Sequence, residues 1–102
     1  MSYDIRLVPQ TDDGTPPFEI GVTYNYSKFY YDKIDRDDGI RAIYGLTGAE
    51  SLPILDLAIS LMSDEGYDPM DYWKPTEGNA RDPLKKLFLA ARSHPTWKWE
   101  GD

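Results

Sequence analysis

"LPILDLAISLMSD", residues 52–64, decides the fold class. Leu52, Ile54, Leu55, Leu57, Ala58, Ile59, Leu61 and Met62 cover most of a helical circumference, leaving Asp56, Ser60 and Ser63 as a narrow polar stripe. Such a pattern predicts a helix buried on several sides and at the centre of a core. Pro53 suits a first turn, where its missing N–H costs nothing, and Ser51 suits the cap.

Working outward, "PLKKLFLAARS" (83–93) predicts a second helix. Leu84, Leu87, Phe88 and Ala91 line its inner face, Lys85, Lys86 and Arg92 face water, and His94-Pro95 ends it. Asn79, or Asp82 before Pro83, is expected to cap it. Towards the N-terminus the period changes from helical to two. "YDIRLV" (3–8) puts Tyr3, Ile5 and Leu7 on one face. "FEIGVTYNYS" (18–27) does the same with Phe18, Ile20, Val22, Tyr24 and Tyr26. With Asp13-Gly14 as the reversal, these read as a hairpin. "GIRAIYG" (39–45) reads as a short helix capped by Asp37 or Asp38, with Ile40, Ile43 and Tyr44 inward. "TWKWE" (96–100) reads as a last strand with Trp97 and Trp99 inward, able to join the hairpin. The expected architecture is α+β: a small, mainly antiparallel sheet packed against two main helices and one short helix. It forms one domain over residues 1–102, a length at which one core is feasible but small.

Composition narrows the chemistry. There is no cysteine, which excludes disulfides, thiolate nucleophiles and cysteine-ligated zinc. The single histidine, His94, excludes a two-histidine metal site. The formal net charge is −7 and the basic residues are scattered among acids, so a nucleic-acid partner is not expected. No apolar run is long enough to cross a membrane, and "MSYDIRLVPQ" lacks the basic start and apolar stretch of a signal peptide. A cytoplasmic protein is expected. Aromatic residues make up 14% of the chain, a load that argues against disorder.

No motif assigns a reaction. The acids Asp32, Asp35, Asp37 and Asp38 before Gly39 suggest a calcium loop, but with Gly39 at position 6 the loop would start on Ile34 and end on Gly45. The match fails, and a solvated acidic turn is the simpler reading. Glu50 and Glu77 each lie near a helix start, where a carboxylate serves as a cap partner or complements the helix dipole. No nucleophile–base pair is visible, so no catalytic residue, metal or cofactor is assigned.

The candidates for binding lie elsewhere. "LTGAES" (46–51) and "PTEGNAR" (75–81) each place threonine, glycine and small or polar residues before a helix, whose first N–H groups attract anions. Neither is a Walker loop. The signal is weak, and ordinary capping and turn chemistry is the favoured reading of both. Tyr24, Asn25 and Tyr26 form a dense aromatic–polar patch. Trp73 lies in the long connection "EGYDPMDYWKPTEG" (65–78), and connections of this kind often carry binding.

Three stretches, "VTYNYSKFYY", "GIRAIYGLTGAESLPILDLAI" and "DYWKPTEGNAR…LFLAARSHPTWKWEGD", together with "MSYDIRLV", cover most of the chain. They resemble a group of small phage- and prophage-encoded proteins of uncharacterised function. The sequence departs from that pattern at Pro83, where an ordinary helix former is expected. A phage setting implies action by binding in the host cytoplasm. One expectation is sequestration of a nucleotide signal in counter-defence. Phosphates would sit near Thr76 to Arg81, with charge-assisted bonds from Arg81. Trp73, Tyr24 or Tyr26 would stack on the base, and Asn25 or Asn79 would read its edge. The other is an acidic inhibitor or adaptor that binds a host protein through a surface including Asp32 to Asp38. A homo-oligomer, with a pocket between subunits, is compatible with either.

Overall fold

The structure, a computed structural model, describes residues 1–11 and 13–102. The chain runs β1 (Ser2–Val8), β2 (Phe18–Thr23), a 3-10 turn (Tyr24–Tyr26), α1 (Ser27–Lys33), a 3-10 helix (Gly39–Ile43), α2 (Gly48–Leu61), α3 (Glu77–Ser93) and β3 (Lys98–Gly101). The strands form one antiparallel sheet in the order β2-β1-β3. The fold is α+β. Among the described residues no helix is long and apolar enough to cross a membrane. Asp12, inside the predicted hairpin turn, lies outside the described residues.

The sheet follows from its alternation. Tyr3, Ile5 and Leu7 of β1 are buried, and opposite them in register stand Val22, Ile20 and Phe18 of β2. Trp99 of β3 pairs with Leu7 and is also buried. Against this face pack Leu55, Ala58 and Met62 of α2 with Ala80, Leu84, Leu87 and Ala91 of α3.

Six expectations are corrected. β2 stops at Thr23, because the Thr23 hydroxyl accepts the Asn25 N–H and turns the chain into a 3-10 turn and α1. Tyr24 and Tyr26 are therefore not on a strand, although Tyr26 and Tyr30 still reach the core. α2 starts four residues before Leu52, capped by Thr47 rather than Ser51. Thr47 and Glu50 form a reciprocal capping box. α2 is also less central than its composition suggests, since Leu57 and Leu61 are 58% and 53% exposed. α3 begins at Glu77 under a Thr76 cap and passes straight through Pro83. Trp97 precedes β3 and is only half-buried, with its ring stacked 3.7 Å from that of His94. The 3-10 helix at Gly39 has no side-chain cap from Asp38; Asp35 instead accepts the N–H groups of Asp37 and Asp38.

Ser51, freed from capping, ties the layers together. Its hydroxyl donates to Gly48 O at 2.8 Å and accepts the buried indole N–H of Trp99 at 2.7 Å. Beside it α2 crosses the end of α3 so closely that a Cβ on Gly48 would lie 2.5 Å from His94 O. Ser51→Ala leaves the buried Trp99 N–H without a partner and is expected to cost about 1–3 kcal/mol of unfolding free energy. The same change in a Trp99→Phe background, where no donor is stranded, should cost less; urea unfolding of the four-member cycle checks the difference.

Candidate functional site

The connection between α2 and α3 exposes four large apolar or aromatic side chains, and most of the predicted site residues meet around it. Residues 62–77 carry five acids, Asp64, Glu65, Asp68, Asp71 and Glu77, against one base, Lys74. Among them Tyr67, Met70, Tyr72 and Trp73 are exposed, Met70 to 93% and Trp73 to 52%. A long segment with this composition needs internal support to hold one shape, because its backbone polar groups have no ladder to join.

The support comes from residues singled out by the sequence. Asn79, buried in the first turn of α3, uses its whole amide on the connection. Its Oδ1 accepts the Asp68 N–H at 2.7 Å, and its Nδ2 donates to Asp71 O at 2.9 Å and Lys74 O at 3.1 Å. Thr76 caps α3 and donates its hydroxyl to Gly66 O at 2.8 Å. Asn25 donates to Trp73 O at 2.9 Å, and the Tyr26 hydroxyl donates to Tyr72 O. Burial, followed by the neighbouring Tyr72 and the Asp82 and Asp71 carboxyls, pushes the Tyr26 phenol up to about 12, so it remains a neutral donor. The Gly78 N–H donates to Glu65 O, and a Cβ there would lie 2.5 Å from Asp64 O.

Arg81 serves the other end of the connection. Its Nε donates to Ile59 O at 2.9 Å, satisfying a carbonyl of the last turn of α2, and its guanidinium bonds Asp64 at 2.9 Å. That hydrogen bond holds the Asp64 carboxyl below its ordinary value of 3.8. Six of the seven predicted residues, Asn25, Tyr26, Trp73, Thr76, Asn79 and Arg81, thus converge. Of the side chains, five bond backbone carbonyls or N–H groups of the connection or its flank, and only the Trp73 ring stands out in solvent, tilted against Tyr72 at 4.5 Å. Tyr24 lies apart, packed edge-on against Tyr3 at 4.6 Å and beside Arg41. The first N–H groups of α3 beyond Glu77 are occupied by Glu65 O, Thr76 Oγ1 and Thr76 O.

Between the connection, α3 and β2 lies a cleft of about 310 Å³. Tyr26, Tyr67, Tyr72, Asp68 and Asp82 give it an aromatic and acidic lining, with Ile20 and Gly21 of β2 on its far side. Lys86 stands at the cleft with its Nζ 3.6 Å from Asp82, beyond hydrogen-bonding distance. The sequence signal that could have located this cleft is the tyrosine–aspartate repeat of "YDPMDY" (67–72). Within the acidic turn Asp32 to Asp38, Asp35 accepts the N–H groups of Asp37 and Asp38, and Lys33 bridges an exposed Asp32 at 3.2 Å. The chain matches no family model, no curated protein and no solved structure.

Two outcomes test this scaffold. Asn79→Ala removes three hydrogen bonds and is expected to cost about 2–4 kcal/mol, with faster amide exchange across residues 66–74. Asp64, whose pKa is lowered in the fold, adds stability above its ordinary value, and that contribution is lost as pH falls through the lower folded value. Asp64→Asn should therefore flatten the stability profile below pH 3.8, as read by thermal unfolding in an acid series.

Proposed function

We propose that this protein acts by binding another protein, as an inhibitor or adaptor, through the 62–77 connection. One observation carries the reading: Trp73, Tyr72, Tyr67 and Met70 are held exposed on a backbone pinned by Asn79, Thr76, Asn25 and Tyr26, in a segment that carries five acids and one base. Exposed aromatics and methionine are the residue types that dominate binding energy at interfaces. A pinned backbone reduces the ordering cost on association. The surrounding carboxylates favour a basic partner and speed its encounter. In the phage setting that the resemblance implies, that partner is a host protein.

Sequestration of a nucleotide signal has less support. It needs Arg81, Asn79 and Thr76 directed at a ligand, and their polar atoms are engaged by Ile59, Asp64, Asp68, Asp71, Lys74 and Gly66. Its acidic cleft also opposes phosphate.

Affinity capture from host lysate at low salt, followed by titration calorimetry with the purified partner, tests the reading. A basic protein should bind, Trp73→Ala should weaken it by about 30-fold or more, and raising salt should weaken it further. A partner that binds Trp73→Ala as well as it binds the unaltered chain, or no partner at all, removes the proposal.

A further inference from the structure

The sheet has two edges, and they differ. Along β3, Trp99 donates to Leu46 O at 2.8 Å and accepts from Gly45 N at 2.9 Å, and Thr47 bridges Lys98, so residues 45–47 cover that edge. β2 has no such cover. The Tyr24 N–H donates to Met1 O, which makes Met1 and Tyr24 a hydrogen-bonded position of the ladder. Counting back by two along the register, Val22, Ile20 and Phe18 also direct their backbone groups to β1. Glu19 and Gly21 therefore point their N–H and C=O groups away from the sheet, and among the described residues no hydrogen bond reaches them.

Three features mark this edge as built for a partner strand. Proteins usually blunt a free edge with proline, a bulge or charged side chains; β2 follows Pro16-Pro17 and carries one charge, Glu19, but its middle is an exposed glycine. A Cβ on Gly21 would meet nothing within 4 Å, so no internal crowding calls for glycine there. Glycine in a strand interior weakens it and is found where another backbone approaches closely. The edge is also flanked by concave surface on both sides. Gly21 and Ile20 border the tyrosine–aspartate cleft on the inner side, and on the outer side a trough of about 540 Å³ lined by Asp4, Arg6, Glu19 and Asp102. Side chains of an added strand alternate between two faces, so one set would meet each.

We infer that β2 accepts an extended segment of a basic partner protein as a fourth strand, with one arginine side chain entering the cleft between Tyr67, Tyr72, Asp68 and Asp82. This rests on the protein-binding reading above and names how the partner is held. The backbone bonds of Glu19 and Gly21 supply sequence-independent docking, and the cleft supplies selection. A guanidinium suits that cleft because it stacks on aromatic faces while bonding carboxylates. The two carboxylates are not spent internally: Asp82 has only the long Lys86 contact, and Asp68 accepts one local bond, from Met70 N.

The test uses the full ¹⁵N-labelled chain with an alternating valine–arginine heptapeptide and its valine–glutamate counterpart. The arginine peptide should bind saturably, shift the Glu19 and Gly21 amides and slow their exchange, while the glutamate peptide binds about tenfold more weakly or not at all. Gly21→Pro removes an outward donor without touching a ladder bond and should weaken the arginine peptide about tenfold, with the folded spectrum retained. Should that variant fail to fold, Asp68→Asn with Asp82→Asn gives the second reading, an expected loss of at least about fivefold. No shift at Glu19 and Gly21, equal binding of both peptides, or a doubled mass in sedimentation with those amides protected in the absence of peptide would overturn the inference; the last would mean that a second copy covers the edge. A captured partner that is lost with Trp73→Ala but kept with Gly21→Pro leaves the connection as the binding surface and removes strand addition alone.

Discussion

A buried amide must find partners for its donors and its acceptor, and Asn79 finds all of them in one place. It sits in the first turn of α3, where the backbone is rigid, and it bonds three points of a connection that has almost no regular structure. The connection therefore has one shape, and the exposed aromatic surface follows from that shape. Thr76, Asn25 and Tyr26 add further points of attachment to backbone carbonyls of the connection, and Arg81 adds one to Ile59 O, which also accepts the Met62 N–H. The bonds of Asn79, Tyr26 and Arg81 are part-buried, where losing one partner leaves the other poorly solvated.

The same economy explains why a small domain can display large apolar side chains. The core is closed by the inner faces of three strands and by α2 and α3, with Trp99 anchored to Ser51. Tyr67, Met70, Tyr72 and Trp73 are not needed to close it. Their exposure, in a segment whose acids repel its own kind, favours association with something basic rather than indiscriminate self-association. The open β2 edge lies next to the same cleft, so the proposed surface and the proposed docking strand adjoin at Ile20 and Gly21.

Much of this was legible in the sequence, for identifiable reasons. Alternation in residues 3–8 and 18–22 placed Tyr3, Ile5, Leu7 and Val22 inward, because a strand's faces follow strictly from its period. Helical spacing in 83–93 placed Leu84, Leu87 and Ala91. The misreadings have equally local causes. Tyr24 and Tyr26 continue the strand pattern, but the Thr23 hydroxyl offers the backbone a turn instead. Ser51 has the chemistry of a cap, but Thr47 has it too and also has Glu50 three residues on, which makes the stronger box. Leu57 and Leu61 complete an apolar circumference that three strands and one helix are too few to cover.

By itself, the sequence determined the α+β class and most of the inward faces, because side-chain chemistry and period are local properties; it marked Asn25, Tyr26, Thr76, Asn79 and Arg81 only as polar and aromatic groups in need of partners. Only the tertiary structure decided what those polar groups do. Their partners, Trp73 O, Tyr72 O, Gly66 O, Asp71 O, Lys74 O and Ile59 O, lie 5 to 48 residues away. Which backbone carbonyls are left orphaned, and which edge of a sheet is left bare, depends on how the elements pack. A hydrogen-bond donor in a sequence announces a need for a partner, and the fold alone supplies the partner's identity.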